Sequence, residues 1–405
     1  MDDIPLPLPF LMDGVSKTTV KTLEIPSGVC PEQWIADHPD GLIATQRECC
    51  LAGANVLSTP TWGANPPMLE PFGLGGQTWE LNGSLAALPF EAASGSVPAA
   101  GVLSRTGLPV PPLGHTDFET IVNVYALQAR ALERAGVSFF LAESMGSMAE
   151  ARAALLAVRE NTSKPILITF SCDGDGHIPS GGDILAALII CQGMGAFAFG
   201  IGSFTGSLCD LGTQIQRLYF CTHIPLAVNC DYRLLAPSCS PDEAAAFVPV
   251  LAQAGVRIFG GAADPSFIAA LRGAMDRLDF SRFSFAKQDP GALYCASEWE
   301  AQFISPLIDV GKAIEISPSF AEDLLSAEGA AGGATKLFLS EENDLYIFAE
   351  NQYIIQDALC LSSHSLQLME RALRLYNGRA FYDGTGDLNP EDLAPLVRKY
   401  GLVVL

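Results

Sequence analysis

Hydrophobic and polar positions along the chain fall into two alternating patterns. Short runs that are apolar at nearly every position recur at residues 10–14, 55–59, 89–94, 139–143, 165–171, 196–202, 225–231 and 257–262. Longer stretches with apolar residues at helical spacing lie between them, at 116–135, 148–160, 182–194, 210–221 and 241–254. Strands apolar on both faces that alternate with helices predict a parallel sheet covered on each side. Eight such units in about 280 residues match a closed (β/α)8 TIM barrel of the α/β class. An open doubly wound sheet is the alternative, but no Gly-rich dinucleotide fingerprint follows any run.

Helix boundaries are legible in places. Asp242 and Glu243 sit early in the 241–254 stretch, where the helix dipole favours anions. Gly136 and Gly255 directly follow stretches that end in Ala135 and Ala254, the usual C-terminal stop. Residues 64–114 are rich in Gly and Pro and break the rhythm; they read as an irregular insertion around strand three and a candidate lid over the barrel mouth. Residues 280–290 read as a boundary. Beyond it, strands are expected at 293–297, 313–317, 336–340, 358–362, 380–383 and 402–405, with helices at 365–376 and 390–400. The expected organisation is a barrel over 1–280 and a smaller α/β domain over 291–405.

Charge narrows the range of partners. With 23 basic and 45 acidic residues the formal net charge is −22, a field that repels phosphate backbones and argues against a nucleic-acid partner. Charged residues make up 17% and hydrophobic ones 49%, the balance of a chain that buries a core. The longest apolar run, 185–202, contains Gln192 and three glycines and reads as helix, turn and buried strand rather than a membrane span. The 11 cysteines include no CxxC pair, and Met1-Asp2-Asp3 is acidic where a secretory leader would be basic. Both features suit a reduced, cytoplasmic protein.

In barrels of this class the working residues follow the strands. Those positions read Met12-Asp13-Gly14-Val15, Thr59-Pro60-Thr61-Trp62-Gly63-Ala64-Asn65, Gly95-Ser96, Glu143-Ser144-Met145, Cys172-Asp173-Gly174-Asp175-Gly176, Gly202-Ser203-Phe204, Asn229-Cys230-Asp231 and Gly260-Gly261-Ala262-Ala263. The run 173–176 resembles part of a calcium loop without the required Glu and reads as a turn. Cys49, Cys50 and Cys191 fall on helical patterns and read as core.

These pieces together carry a resemblance. Leu11-Met12-Asp13-Gly14, Thr61-Trp62-Gly63-Ala64-Asn65, Leu141-Ala142-Glu143-Ser144-Met145, residues 170–176, Gly200-Ile201-Gly202 and residues 254–261 resemble, in order and spacing, the homocysteine S-methyltransferase family. That barrel is also the first module of cobalamin-dependent methionine synthase. The resemblance implies methyl transfer to homocysteine, with Asp13, Gly14, Val15 and Glu143 holding the amino-acid end of the substrate. A carboxylate accepts from an ammonium, and turn amides suit a carboxylate. The same residues could instead only stabilise the barrel rim. In the family three cysteine thiolates hold a zinc that activates the substrate thiol. The matching positions here are Ser203, Ala262 and Ala263. A hydroxyl and two methyl groups are a poor zinc set, so the expectation is a lost site unless Cys172, Cys209, Cys230, Cys239 and His177 rebuild one elsewhere. Pro60 stands within Thr59-Pro60-Thr61 where the family has Thr-Asn-Thr, and removes an amide hydrogen.

Residues 359–363, the helix that follows, Asn377-Gly378-Arg379 and 393–404 resemble consecutive units of the methyltetrahydrofolate-binding barrel over about 60 residues. At that barrel's pterin-contacting Asp and Asn positions this chain has Ser362 and Asp383. Half a barrel leaves sheet edges for the first domain or a second copy of the chain to cover, an argument for a homodimer.

Three functions follow for testing. The first is a homocysteine S-methyltransferase-like enzyme with altered activation, its methyl donor a folate or corrinoid by analogy. The second is an inactive or regulatory amino-acid-binding subunit that works with a corrinoid protein. The third is a zinc-free lyase or hydrolase using Asp13, Glu143, Asp231 and His177. No catalytic residue is assigned at this stage.

Overall fold

In the computed structural model, residues 6–15, 23–110, 114–235, 239–261, 263–284, 288–317, 319–327 and 333–405 are described. The chain divides into two compact units. One comprises Met1–Leu108, Thr116–Pro179 and Ala196–Ala286, the other Pro109–His115, Ser180–Gly195 and Lys287–Leu405.

The first unit carries eight strands: β1 (Phe10–Leu11), β2 (Leu57–Ser58), β3 (Ala99–Leu103), β4 (Phe139–Met145), β5 (Ile166–Asp173), β6 (Ala198–Thr205), β7 (Leu226–Asn229) and β8 (Val256–Gly260). Their spatial order is β1-β8-β7-β6-β5-β4-β3-β2, and every pairing is parallel. A parallel bridge between Met12 and Val56 joins β1 to β2 and closes the ring. This is the predicted TIM barrel. Its interior is filled by strand side chains. The Phe10, Phe139 and Phe197 rings stack edge to tilted face with centroids 5.8 and 5.6 Å apart, among Val56, Leu141, Leu167, Ala198, Ala227 and Ile258. Each large side chain removed from water in this way contributes about 1.5–3 kcal/mol.

Helix ends follow local sequence. Asp117 accepts from the Glu119 and Thr120 amides at the start of Phe118–Arg134. Ser207 with Asp210, and Ser240 with Glu243, form reciprocal capping boxes at the starts of Leu208–Tyr219 and Pro241–Gln253. Gly136 and Gly255 adopt positive φ (91° and 87°) just past their helices, as the stop pattern required.

The expectation for strand three is corrected. Residues 89–94 are not a strand; Pro89 lies inside the helix Thr78–Ala92, whose buried face runs through Leu81, Leu85, Leu88 and Ala92. Those leucines recur at helical spacing, and that period overrides the short apolar run. The true β3 is built from small residues, Ala99-Ala100-Gly101-Val102-Leu103, all buried. The expected irregular insertion over 64–114 is thus regular through the helix Thr78–Ala92 and β3, with short helical turns before them and non-repetitive chain at 104–110; residues 111–113 lie outside the described residues.

The second unit contains an antiparallel hairpin, β9 (Leu293–Ala296) with β10 (Ala301–Ile304). It also contains a parallel five-stranded sheet whose spatial order equals its chain order: β11 (Ile314–Glu315), β12 (Ala334–Leu339), β13 (Ala358–Ser363), β14 (Phe381–Tyr382) and β15 (Val403–Val404). Helices Phe320–Ala327, Glu342–Asn351, Leu366–Leu375 and Pro390–Tyr400 connect these strands. Cys295 and Ile304 of the hairpin pack on Ala334, Ala358, Cys360 and Phe381 of the sheet. The helix Ile184–Gly193 groups with this unit and packs along β9 and β10.

Candidate functional site at the barrel mouth

The C-terminal ends of the barrel strands gather polar side chains that the chain otherwise keeps outside. Asp13, two residues past β1, is fully buried. Its Oδ2 accepts from Gln46 Nε2 at 2.8 Å, both oxygens accept from the Ser58 amide at 3.2 Å, and Oδ1 accepts from the Val15 amide at 3.3 Å. Burial outweighs these donors and raises its pKa to about 6. Gly14 takes φ 65° to turn the chain beneath the carboxylate, and Val15 is buried. Asp13 thus ties β1, β2 and the helix Asp40–Ala52 together. Gln46 was not singled out from sequence, yet the signal was there: it falls on the buried stripe Leu42, Ile43, Gln46 and Cys49 of that helix.

Glu143, on β4, is nearly buried, and its Oε1 accepts from Asn229 Nδ2 of β7 at 3.4 Å. The next residue, Ser144, has φ 52°, in the left-handed region that favours glycine. It lies where the register of β4 against β5 shifts. Thr169 Oγ1 accepts from the Ser144 amide at 2.9 Å, and Ser171 Oγ donates to the Ser144 carbonyl at 3.2 Å. Gly202 leaves room for this arrangement: a Cβ there would stand 2.5 Å from Thr169 Oγ1 and 2.7 Å from Ser144 Oγ. Strained backbone held by its surroundings is a mark of functional sites.

Just past β2, Thr59 and Thr61 share a hydrogen bond of 2.7 Å and tie to β3, through the Val102 amide and carbonyl respectively. Pro60 therefore breaks no pairing that these threonines need. Glu32 accepts from the Gly63 amide at 2.7 Å. Trp62 is fully buried, and its indole N–H has no hydrogen-bond partner among the described residues.

The family's zinc positions can be tested by their donors. Ser203 is half-buried and stands opposite Ser171 across β5 and β6. Ala263 is half-buried and packs on the apolar core, and Ala262 lies outside the described residues. The side chains at these positions are one hydroxyl and two methyl groups, which do not fit zinc. Among the described residues the alternative cysteines form no group of three with metal-ligand spacing, although Cys230 and Cys172 lie close enough to interact electrostatically. Cys230 is buried, donates its thiol hydrogen to the Ile201 carbonyl at 3.3 Å and has its pKa pushed well up by burial. Cys172 and Cys239 are buried and Cys209 is exposed. Among the described residues the groups with metal-ligand spacing are Asp173, Asp175 and His177, a surface cluster without cysteine. Asp173 there accepts from the Asp175 and His177 amides at 3.0 and 2.8 Å, the turn expected from sequence. Asp231 is engaged by Arg233 at 3.0 Å, and Arg233 also reaches Asp264 at 3.7 Å.

A closed parallel barrel with a polar mouth at its C-terminal end defines the class. Within it, the sequence model of the homocysteine S-methyltransferase family matches residues 10–275, and the chain belongs to that family. Methionine synthase of Mycobacterium tuberculosis is 24% identical over 255 residues, covering 57% of this chain and 21% of that protein. The S-methylmethionine–homocysteine S-methyltransferase BHMT2 of Mus musculus is 27% identical over 168 residues, covering 40% of this chain and 44% of that protein. The chain thus spans less than half of these relatives' lengths. Among solved structures, the metallated homocysteine methyltransferase MmuM of Escherichia coli superposes with a TM-score of 0.55 at 20% identity, covering 65% of this chain and 95% of that one. Among the described residues no helix is long and apolar enough to cross a membrane.

Proposed function

We propose that the barrel mouth binds homocysteine or a related amino-acid acceptor and serves methyl transfer without the three-thiolate zinc of the family. The carrying observation is the pair of carboxylates, Asp13 after β1 and Glu143 on β4, set in one ring of strand ends. They divide the work. Asp13 is saturated by amide donors and positions the Asp13-Gly14-Val15 turn. Glu143, which accepts from Asn229, is the carboxylate assigned to an ammonium group in this reading. Methyl transfer to sulfur needs a thiolate, and Ser203, Ala262 and Ala263 supply no metal to make one. The donor set therefore also supports the second reading, a regulatory amino-acid-binding subunit of a corrinoid methyl-transfer system. A folate or corrinoid donor, a corrinoid-protein partner, a homodimer, a cytoplasmic setting and the division into domains 1–280 and 291–405 belong to this proposal.

The test is calorimetric titration of the full chain with L-homocysteine and L-methionine. A methyl-transfer assay with S-methylmethionine, methyltetrahydrofolate and methylcobalamin runs alongside it. Binding that Glu143→Gln weakens at least tenfold, with turnover, supports the enzyme; the same binding without turnover supports the regulatory subunit. If neither amino acid binds at millimolar concentration, the substrate assignment fails.

A further inference from the structure

The second unit carries a buried polar cluster at the C-terminal ends of its own parallel strands, independent of the barrel mouth. Strand residues two apart share a face. The register sets Lys336 of β12 beside Cys360 of β13, which pairs with Phe381 of β14. The same face continues with Phe338, Ser362 and Asp383. Its lowest layer is apolar, Ala334 beside Ala358, and the next sets Lys336 among Cys360 and Phe381; these apolar residues pack under the hairpin. Lys336 is only 9% exposed. Its ammonium donates to Asp383 Oδ2 at 2.6 Å and to Thr385 Oγ1 at 2.7 Å. Asp383 Oδ1 accepts from the Thr385 amide at 3.0 Å and from Ser362 Oγ at 3.4 Å. Burial pushes Asp383 up, but the Lys336 ammonium and the Thr385 donors more than offset this and keep it ionised.

This arrangement exceeds what the fold needs. Sinking a lysine–carboxylate pair into a sheet costs desolvation that apolar side chains of similar volume avoid, and the layer below uses just such side chains. Asp383 and Thr385 follow the end of β14, the side on which ligands bind in parallel α/β sheets, and the Lys336 ammonium reaches them from within β12. Two acceptors engage two of the three ammonium N–H groups, and the third has no protein partner among the described residues. The rim is aromatic. Phe338 meets the His364 ring edge-on at 5.1 Å, and His364 Nδ1 lies 3.1 Å from the Gly386 carbonyl. That carbonyl can only accept, so Nδ1 carries the hydrogen and Nε2 of the neutral ring is an acceptor.

We propose that the ends of β12, β13 and β14 form a binding site for a small organic anion, a carboxylate or phosphate ester bearing a flat apolar group. Lys336 receives the anionic end as a compact point charge, and Phe338 with His364 forms the wall for the flat group. Asp383 holds the ammonium in place and limits its free charge.

The experiment is titration of the full chain with benzoate and phenyl phosphate, followed by ligand-observed NMR. Acetate, inorganic phosphate and neutral benzyl alcohol serve as comparisons. Either aromatic anion is expected to bind with a low-millimolar constant and at least fivefold more tightly than its non-aromatic counterpart, and benzyl alcohol not at all. The stronger of the two identifies a carboxylate or a phosphate ligand. Lys336→Met is expected to weaken binding at least tenfold, Phe338→Ala to weaken only the aromatic anions, and Asp383→Asn to tighten binding severalfold by releasing the ammonium from its partner. No binding of either aromatic anion by the unmodified chain up to 20 times that range, roughly 50 mM, overturns the proposal. So does equal binding of benzyl alcohol, or binding that the folded variants leave unchanged.

Discussion

Gln46 of the helix Asp40–Ala52 donates its side-chain amide to Asp13 at 2.8 Å, and neither residue has any exposed surface. The same Nε2 donates to the Ser58 carbonyl at 2.8 Å. One amide therefore serves two acceptors on two strands. Gln46→Leu keeps the volume and removes both hydrogen bonds, leaving a buried carboxylate short of one donor. We expect a loss of about 2 kcal/mol, read as a lower denaturation midpoint with an unchanged denaturant slope. An unshifted midpoint would mean that this hydrogen bond contributes nothing.

The Asp13 carboxyl also makes stability depend on pH. Its folded pKa is about 6 against an ordinary 3.8. The folded state then binds more protons than the unfolded one between those values, so stability falls as pH rises from about 4 to about 6 and is flat above. The swing is up to about 3 kcal/mol. Asp13→Asn cannot ionise and should lack this component. Urea denaturation of both proteins at pH 4.5 and 7 measures it. A wild-type chain that gains stability relative to Asp13→Asn across that interval would contradict the burial argument.

How far the sequence revealed this site depends on what each residue does. Asp13, Glu143 and Ser203 were legible because strand ends are set by apolar runs, and chemistry in a barrel follows strand ends. The barrel was legible for the same reason. Strand three was not: Ala99, Ala100 and Gly101 have little strand preference, while Leu88-Pro89-Phe90 looks more like a strand than the helix end it is. Gln46, Thr169 and Asn229 act through Asp13, Ser144 and Glu143, which lie 33, 25 and 86 residues away in sequence. No local pattern encodes such pairs; only the closed ring brings them together. The Lys336–Asp383 pair, 47 residues apart, is of the same kind.

Gly202 faces Thr169 and Ser144 too closely for a side chain. Gly202→Ala should cost about 1–3 kcal/mol through overpacking and should disturb the Ser144 turn. Thr169→Ser removes the methyl group but leaves the hydroxyl that Ser144 needs, so it should not rescue. Combining Gly202→Ala with Ser144→Gly should rescue in part, because glycine accepts the positive φ and removes one of the two clashing oxygens while Thr169 Oγ1 stays. Thermal melts of the three variants decide this. Equal melting temperatures for Gly202→Ala and the parent would show that the mouth yields easily.

Two glycines end strand eight where no side chain fits, and the residues after them carry methyl groups. Gly261 adopts φ 102° against the Cys230 backbone, and Gly260 packs against Asn229 and Met12. A side chain larger than hydrogen fits at neither position. The residues that follow, Ala262 and Ala263, carry no ligand atom. If donor chemistry alone separates this chain from a zinc protein, Ser203→Cys with Ala262→Cys and Ala263→Cys should restore binding, since three thiolates at such an end make a tetrahedral site with one open position. The parent, purified without chelators, should hold well under one zinc per chain, and the triple variant about one, by plasma mass spectrometry. About one zinc in the parent would mean that other residues hold a metal. The unmodified thiols Cys172, Cys209, Cys230 and Cys239 would then be substituted singly to find its ligands.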